Sequence, residues 1–285
     1  MTAFDLLRFD DWTNPVPPAD REVVSLLPDD DEGRPPILFV PGLGHGAWAF
    51  AEHWLPHTAG RGFPAHALTP RPGGDLRTQV HDVVQTAASL PRQTVLVGHG
   101  VGALVVARAL GRYPARAAVL SAPVLGGWST LGSALRANPA GTVPALVGGR
   151  LRLSARQLFR SGPPATQRPH PADQPTAPAD EALFPADQAP LPADQATDYL
   201  SRLDPKPRAE LLRRTAPPRP VGAPPVLVIG SPDDRVVSRK ALDRAAAAYS
   251  GAPLMFPGMG HDLMLELSWS EPIDAILDWL TEQIK

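Results

Sequence analysis

Residues 94–103 read TVLVGHGVGA, an apolar run that passes directly into glycines at every second position. A short apolar run that is rich in β-branched residues and stopped by glycine is typical of a buried strand. Residues 101–111 continue as a predicted helix. The segment therefore predicts a strand, a sharp turn around Gly100 and a helix. This is the context in which the pattern Gly-x-nucleophile-x-Gly forms a nucleophile elbow.

The rest of the chain repeats this alternation of apolar strands and helices. Strands are predicted at residues 21–27, 37–40, 63–68, 94–98, 117–120 and 225–230, with a further strand-like stretch at 4–9. Helices are predicted at 76–90, at 101–111 and at the C-terminus, where one face carries Ile273, Ile276, Leu277, Leu280 and Ile284. Strands that are apolar throughout and alternate with helices indicate an α/β fold. Its mostly parallel central sheet should have helices on both faces.

Residues 124–222 break this rhythm and predict an inserted, proline-rich cap over the carboxyl edge of the sheet. The chain has 36 prolines, and their excess is concentrated between about residues 163 and 225. A seven-residue repeat, PADQ in three of its four copies, begins at Pro171, Pro178, Pro185 and Pro192. A proline in every copy forbids a continuous helix. We therefore expect a flexible stretch at about 163–191, with Pro192 opening a helix at 196–203. A binding role for the repeat is the alternative.

Length and composition limit the classes of function. A chain of 285 residues suits one domain, with residues 1–123 and 223–285 forming the core around the inserted cap. The net charge of −2 does not suggest nucleic-acid binding, and the lack of cysteine excludes disulfides and cysteine nucleophiles. The N-terminus has no signal-peptide pattern, and no apolar run approaches the roughly 20 residues of a membrane span. The expectation is a cytoplasmic protein of unspecified oligomeric state.

Four stretches of the sequence match the motifs of one enzyme family. They are residues 37–48 (ILFVPGLGHGAW), 95–103 (VLVGHGVGA), 226–237 (VLVIGSPDDRVV) and 256–266 (FPGMGHDLMLE). In this order they resemble the first core strand with its oxyanion loop, the nucleophile elbow, the acid loop and the histidine loop of the α/β-hydrolase family. The likeness covers nearly the whole chain and is to the lipase/esterase and lysophospholipase-like branch. It implies an inherited activity on carboxylic esters or lipids, without a cofactor or a metal.

The resemblance assigns roles to particular residues. His261 would be the catalytic base, and Asp234 the acid that orients it. The adjacent Asp233 is the alternative, and only the register after Gly230 favours Asp234. The backbone N–H groups of Leu43 and Val101 would stabilise an oxyanion. Where many relatives have His-Gly in the oxyanion loop, this chain has Pro41-Gly42, so the hydrogen bonding of that loop is expected to differ.

The main departure from the family pattern is Gly100, which stands where the family places a serine. Glycine has no side chain, so covalent catalysis at this position is impossible. In a serine protease, loss of the nucleophile costs about 10⁶-fold in rate. That loss corresponds to about 8 kcal/mol of transition-state stabilisation. An elbow residue is backbone-strained, and glycine relieves that strain. The substitution therefore exchanges catalytic power for stability.

Several other residues have two interpretations. His45 lies in the oxyanion loop, where contact with a ligand and ordinary packing are equally expected. His99 and Ser121 are interpreted as a packed histidine and a strand-end serine, with assistance by Ser121 at the vacant position as the alternative. His53 and His57 have the spacing of two zinc ligands, but no third ligand is apparent and a partly exposed helix face is favoured. The glycines of the oxyanion loop lack the lysine of a phosphate-binding loop.

These observations support three hypotheses for function. The first is a pseudohydrolase that binds a small, apolar ester or acyl ligand with little or no turnover. The second is a serine-independent enzyme in which the Asp234–His261 pair activates water or deprotonates a substrate. The third is a structural or partner-binding protein that uses the proline-rich cap. The missing side chain at Gly100 favours the first.

Overall fold

The computed structural model describes residues 13–125, 153–160, 191–204 and 218–284. The predicted strand at 4–9 and the PADQ repeats before residue 191 lie outside these residues. The division into a core and an inserted cap therefore stays a prediction. Among the described helices, none is long and apolar enough to cross a membrane.

Seven strands form one sheet in the order β1-β3-β2-β4-β5-β6-β7. Among the described strand pairs, only β1–β3 is antiparallel. The strands are β1 (Val23–Leu26), β2 (Ile37–Val40), β3 (Ala65–Leu68), β4 (Val95–His99), β5 (Ala117–Ser121), β6 (Val226–Gly230) and β7 (Leu254–Met255). The predicted α/β-hydrolase architecture with a mostly parallel sheet is confirmed. The short edge strand β7 was not predicted, because two residues carry no readable periodicity.

The helices connect these strands and cover the sheet. They are α1 (Trp48–Ala51), α2 (Trp54–Gly60), α3 (Leu76–Ser89), α4 (Val101–Ala109), α5 (Ala155–Leu158), α6 (Ala193–Ser201), α7 (Arg239–Ala247) and α8 (Ser270–Gln283). Asp75 is the N-cap of helix α3, and its carboxylate accepts the Thr78 amide at 2.8 Å and so satisfies one of the free N–H groups of the first turn.

The core consists of two apolar layers, one on each face of the sheet. Successive residues of β2 point to opposite faces, so Ile37 and Phe39 belong to one layer while Leu38 and Val40 belong to the other. The first layer includes apolar residues of α1, α2 and α8, and the second includes those of α3, α4 and α7. Because helices cover both faces of the sheet, the strands are apolar throughout. The carboxyl ends of the strands lie outside these two layers and are available to form a site.

Two described segments of the predicted cap, residues 153–160 and 191–204, pack above the carboxyl edge of the sheet. Helix α6 begins at Ala193 with Pro192 at its N-cap, close to the predicted start. The Tyr199 ring lies 6.0 Å from Phe159 and 6.2 Å from Trp48. The Asp204 amide donates to the Gly44 carbonyl oxygen at 2.7 Å. These contacts fasten the cap segments to the loop after β2 (residues 41–47).

Candidate active site

Gly100 lies at the sharp turn between β4 and α4. Its backbone has φ 55° and ψ −118°, a conformation that side-chain-bearing residues rarely adopt. Two positions further, a side chain on Gly102 would overlap the carbonyl oxygen of Val40, because β2 and the start of α4 approach closely there. The sequence therefore folds into this turn for two reasons: glycine permits the positive φ, and a second glycine permits the contact with β2.

The loops after β6 and β7 bring Asp234 and His261 together. His261 Nδ1 lies 2.8 Å from Asp234 Oδ2, and both side chains are buried. The other Asp234 oxygen accepts the amides of Val236 at 2.6 Å and Val237 at 3.0 Å. Asp233 instead accepts the Gly258 amide at 2.7 Å near the surface. The geometry thus pairs His261 with Asp234 and gives the adjacent aspartate a role in the loop.

The surroundings of His261 favour its protonated form. Burial of the imidazole opposes its protonation, but the carboxylate of Asp234, its hydrogen bond and the nearby Asp262 together outweigh burial. The pKa of His261 is therefore raised above its usual value near 6.5. The Asp234 hydrogen bond also fixes the ring orientation, with Nδ1 towards the acid.

The other ring nitrogen of His261 is directed at the turn. A Cβ atom built on Gly100 would lie 3.2 Å from His261 Nε2 and 3.7 Å from the Gly42 Cα. Within the described part of the chain, Nε2 has no hydrogen-bond partner. The backbone N–H groups of Val101 and Leu43 likewise have no acceptor there, as expected for free donors beside the turn. The predicted base thus faces Gly100, and the oxyanion role of the Leu43 and Val101 N–H groups stays a prediction.

Of the histidines with two interpretations, His45 is buried and has both ring nitrogens engaged. Its Nε2 lies 3.0 Å from Asp262 Oδ2 and its Nδ1 lies 3.2 Å from the Leu43 carbonyl oxygen. The ring also stacks on Trp48, with centroids 5.7 Å apart. His45 therefore holds the loop after β2 in place by contacts inside the protein. It also lines a cleft beside this loop, and a ligand would contact it there.

His53 and His57 lie at the start and within helix α2, away from Gly100. The His53 ring stacks on Trp269 with centroids 4.8 Å apart, and His57 Nε2 lies 2.8 Å from Asp274 Oδ1. Each of the two rings thus has its own structural partner. Ser121 ends β5 beside the turn, and its carbonyl oxygen accepts the Gly100 amide at 2.9 Å. The Ser121 hydroxyl is buried without a hydrogen-bond partner among the described residues.

Asp262 is a fully buried carboxylate that the sequence analysis missed. Besides His45, it approaches His99, with His99 Nε2 at 3.5 Å from Asp262 Oδ1. Burial raises the pKa of Asp262, but the charge and hydrogen bond of His45, followed by His99 and His261, lower it below the usual value. The only sequence signal was its position directly after His261, and charge alone does not reveal burial.

His99 is neutral and structural. Burial first, then the neighbouring His261, lower the pKa of His99 to about 3, against the opposing effect of Asp262. Its Nε2 lies 3.1 Å from the His261 carbonyl oxygen, to which the neutral ring donates. Ligand atoms of His99, His261 and Asp262 come within 4.8 Å of one another, close enough to consider a metal ion.

Comparison with known proteins agrees with this arrangement. A sequence model of the "Alpha/beta hydrolase family" matches residues 37–279. The chain belongs to this family. A search of curated protein sequences gives no significant match.

Solved structures with the same fold include proteins described as esterases and lipases. An esterase from Exiguobacterium antarcticum has a TM-score of 0.63 at 11% identity, covering 92% of this chain and 95% of that one. A monoacylglycerol lipase from Paleococcus ferrophilus has a TM-score of 0.56 at 17% identity, covering 93% and 100%. A monoglyceride lipase variant from Saccharomyces cerevisiae has a TM-score of 0.57 at 13% identity, covering 94% and 96%. At these identities the likeness shows the fold alone.

In this α/β-hydrolase the histidine loop (residues 256–266) is tied to the cap segment 153–160. The Leu158 carbonyl oxygen accepts the amides of His261 at 2.7 Å and Asp262 at 3.0 Å. Glu266 Oε1 accepts the amides of Gly260 and Arg160, each at 2.7 Å. Burial raises the pKa of Glu266 to about 7, although the two amides act in the opposite direction. Glu266 was also missed from the sequence, because its partners are backbone groups of a distant segment.

A cleft of about 340 Å³ adjoins the site. Its walls include Gly42, Leu43, Trp48, Val101 and Leu203. Gly100 and His261 are not among the residues that line it, and the cleft meets the turn at Gly42, Leu43 and Val101.

Proposed function

We propose that this α/β-hydrolase is a pseudoenzyme that binds a small, apolar ester or acyl ligand and lacks the ester turnover of serine-bearing relatives. The observation that carries the proposal is Gly100 at the turn between β4 and α4. A nucleophilic serine in this family would project from that turn towards the base. Glycine offers no atom that can attack a carbonyl carbon, whatever the state of His261.

The remaining arrangement supports an esterase-like ancestry. His261 and Asp234 are joined at 2.8 Å, and Nε2 faces the turn. The N–H groups of Leu43 and Val101 are the proposed donors to a carbonyl oxygen. The adjacent cleft has both polar residues, among them Arg71 and Asp204, and apolar ones at Leu43, Trp48 and Leu203, and this apolar part would take the acyl chain of a small ligand. Esterases and monoglyceride lipases of the same fold favour this class of ligand.

Restoring the nucleophile tests the proposal. We expect the protein to hydrolyse p-nitrophenyl butyrate only at the background rate, and Gly100→Ser to raise kcat/KM by at least about 100-fold. The gain should fall short of the full 10⁶-fold range, because the new Cβ would lie 3.2 Å from His261 Nε2 and the ring must move slightly. Release of p-nitrophenol, followed spectrophotometrically, measures the rate.

Gly60→Ala is the matched control, since Gly60 ends helix α2 on the surface with open space around it. It should leave the rate at background. Ester hydrolysis by the unaltered protein at a rate typical of esterases, lost on His261→Ala, would contradict the proposal.

A second candidate is a serine-independent enzyme, favoured by the free His261 Nε2 above Gly100. This base could activate a water molecule or remove a proton from a substrate. We expect such an activity to be lost in His261→Ala by at least about 100-fold, and the protein not to be labelled by a fluorophosphonate. Labelling at any serine, or activity unchanged in His261→Ala, would contradict this candidate.

A further inference from the structure

A second cavity, of about 440 Å³, is lined by the cap segment 153–160 and by the loops after β6 and β7. It shares no lining residue with the cleft described above. The cap segment contributes Arg156 and Arg160 to its walls, and the loop after β6 contributes Asp233 and Arg235. We call this cavity the arginine pocket. Its charged side chains come from two distant parts of the sequence, so only the fold brings them together.

Positive charge predominates in the arginine pocket. Three arginines and one aspartate line it, which leaves an excess of two positive charges, whereas the whole chain has a net charge of −2. The Asp233 carboxylate accepts the Gly258 amide at 2.7 Å, and among the described residues it forms no ion pair with Arg156 or Arg235. The excess is therefore local and is not neutralised by the aspartate beside it, so the pocket attracts an anion.

Two of these arginines keep most of their hydrogen-bond donors available. A guanidinium group has five N–H donors in a planar fork. Arg235 uses one of them, from Nη1 to the Arg156 carbonyl oxygen at 3.1 Å. The exposed side chain of Arg156 has no hydrogen-bond or ion-pair partner in the part of the chain that the structure describes. Arg160 Nη1 donates to the Gly258 carbonyl oxygen at 3.1 Å, which holds the third guanidinium at the same cavity.

The shape and the apolar part of the pocket indicate the size of the ligand. Phe159, Pro257 and Met259 line the same cavity as the arginines. Arginines on an open surface would suit a membrane or a nucleic acid, but a cavity of about 440 Å³ has the size of a small-molecule site. A planar guanidinium fork matches the oxygens of a phosphate group, and two excess positive charges favour a dianion over a monoanion.

We propose that the arginine pocket binds a small organic phosphate, with the dianionic phosphate group on Arg156 and Arg235 and the apolar part of the molecule against Phe159 and Met259. The proposal does not depend on the vacant position at Gly100. Since the ligand would contact both the cap segment and the loop after β6, it would join them and stabilise the folded chain.

Calorimetric titration of the full chain with phenyl phosphate, phenyl sulfate and phenol tests the proposal. At about pH 7.5 these three compounds share an aromatic ring and are a dianion, a monoanion and a neutral molecule. We expect phenyl phosphate to bind with a Kd of about 1 mM or lower. Phenyl sulfate should bind at least about fivefold more weakly and phenol at least about tenfold more weakly, because each loses attraction to the arginines. Inorganic phosphate, which lacks the apolar part, should bind at least about threefold more weakly.

Exposed charged residues allow variants that leave the core intact. Arg156→Gln and Arg235→Gln should each weaken phenyl phosphate binding by at least about fivefold. Arg244→Gln is the matched control, because Arg244 is exposed on α7 and does not line the pocket; its affinity should stay within about twofold of the unaltered protein. Asp233→Asn keeps an acceptor for the Gly258 amide and removes a negative charge, so it should bind at least about twofold more tightly.

Backbone ¹⁵N–¹H resonances identify the cavity that is occupied. Those of Gly258 and Gly260, which line the arginine pocket, should shift on titration with phenyl phosphate. Shifts confined to Gly44 and Gly46 would place the ligand in the other cleft and would overturn the proposal. So would no binding of phenyl phosphate up to about 10 mM, phenol binding as tightly as phenyl phosphate, or unchanged affinity in both arginine variants. Inorganic phosphate binding as tightly as phenyl phosphate would overturn the assignment of an organic ligand.

Discussion

At the scale of single residues, the site depends on Gly100 more than on any charged group. With φ 55° and ψ −118°, it occupies a conformation that costs a side-chain-bearing residue about 1–3 kcal/mol. A serine at this position would carry that backbone strain and would provide the nucleophile. This chain avoids the cost, and His261 Nε2 lies 3.2 Å from where a Cβ would be. The turn is therefore expected to be more stable here than in a variant that carries any side chain.

Gly100→Ala should lower the free energy of unfolding by about 1–3 kcal/mol, because alanine adds the strain of a positive φ and a close contact with His261 without adding chemistry. Urea unfolding followed by circular dichroism measures the change. In the control Gly60→Ala, the substituted glycine lies in a helix and has a negative φ. That variant should gain up to about 1 kcal/mol. An alanine at position 100 that unfolds at the same urea concentration as the unaltered protein would show that the turn is not strained.

At the scale of elements, the histidine loop is held by the cap segment 153–160 as well as by β6 and the loop after it. The Leu158 carbonyl oxygen and the Glu266 carboxylate together accept four amides across residues 160 and 260–262. Glu266 is 3% exposed, and burial raises its pKa to about 7. In the unfolded chain the pKa of this carboxyl returns to about 4.5. The stability of the junction is thus linked to pH.

Between about pH 4.5 and 7 the folded chain holds a proton on Glu266 that the unfolded chain has released. The contribution of this group to stability is complete below about pH 4.5 and is lost as the pH rises through about 7. We expect Glu266→Gln, which keeps an accepting oxygen and no charge, to become more stable than the unaltered protein by up to about 3 kcal/mol at about pH 8.

Chemical denaturation of both proteins across this range measures the difference, and the difference should shrink towards about pH 4.5. Glu282→Gln, an exposed carboxylate at the end of α8, serves as the control and should follow the unaltered protein at every pH. A Glu266→Gln variant that is less stable than the unaltered protein at about pH 8 would show that the ionised carboxylate is the form that holds the two amides.

At the scale of the whole molecule, hydrophobic periodicity predicted the sheet. A parallel strand that is buried on both faces is a continuous apolar run, so it can be recognised from its own residues. Residues 37–40 and 95–97 are continuous apolar runs, and both are strands. The motif order brought His261, Asp234 and the turn at Gly100 into one prediction, and the structure places the three together. Asp262 and Glu266 escaped prediction because their partners, His45 and the Arg160 amide, are 217 and 106 residues away in sequence. A buried carboxylate and an exposed one look alike in a sequence when only the fold supplies the partner.

The double hydrogen bond at the Leu158 carbonyl has a consequence for engineering. Grafting the segment between β5 and β6 from another member of the family is a simple way to change ligand preference, because its described parts, residues 153–160 and 191–204, pack against the loops at the carboxyl edge of the sheet. In this chain such a graft would also replace the Leu158 carbonyl oxygen, which accepts the His261 and Asp262 amides and so fixes the position of the His261 backbone. A chimera designed without a matching carbonyl would shift His261 as well as change the ligand preference, so grafts should keep residues 153–160 from the host.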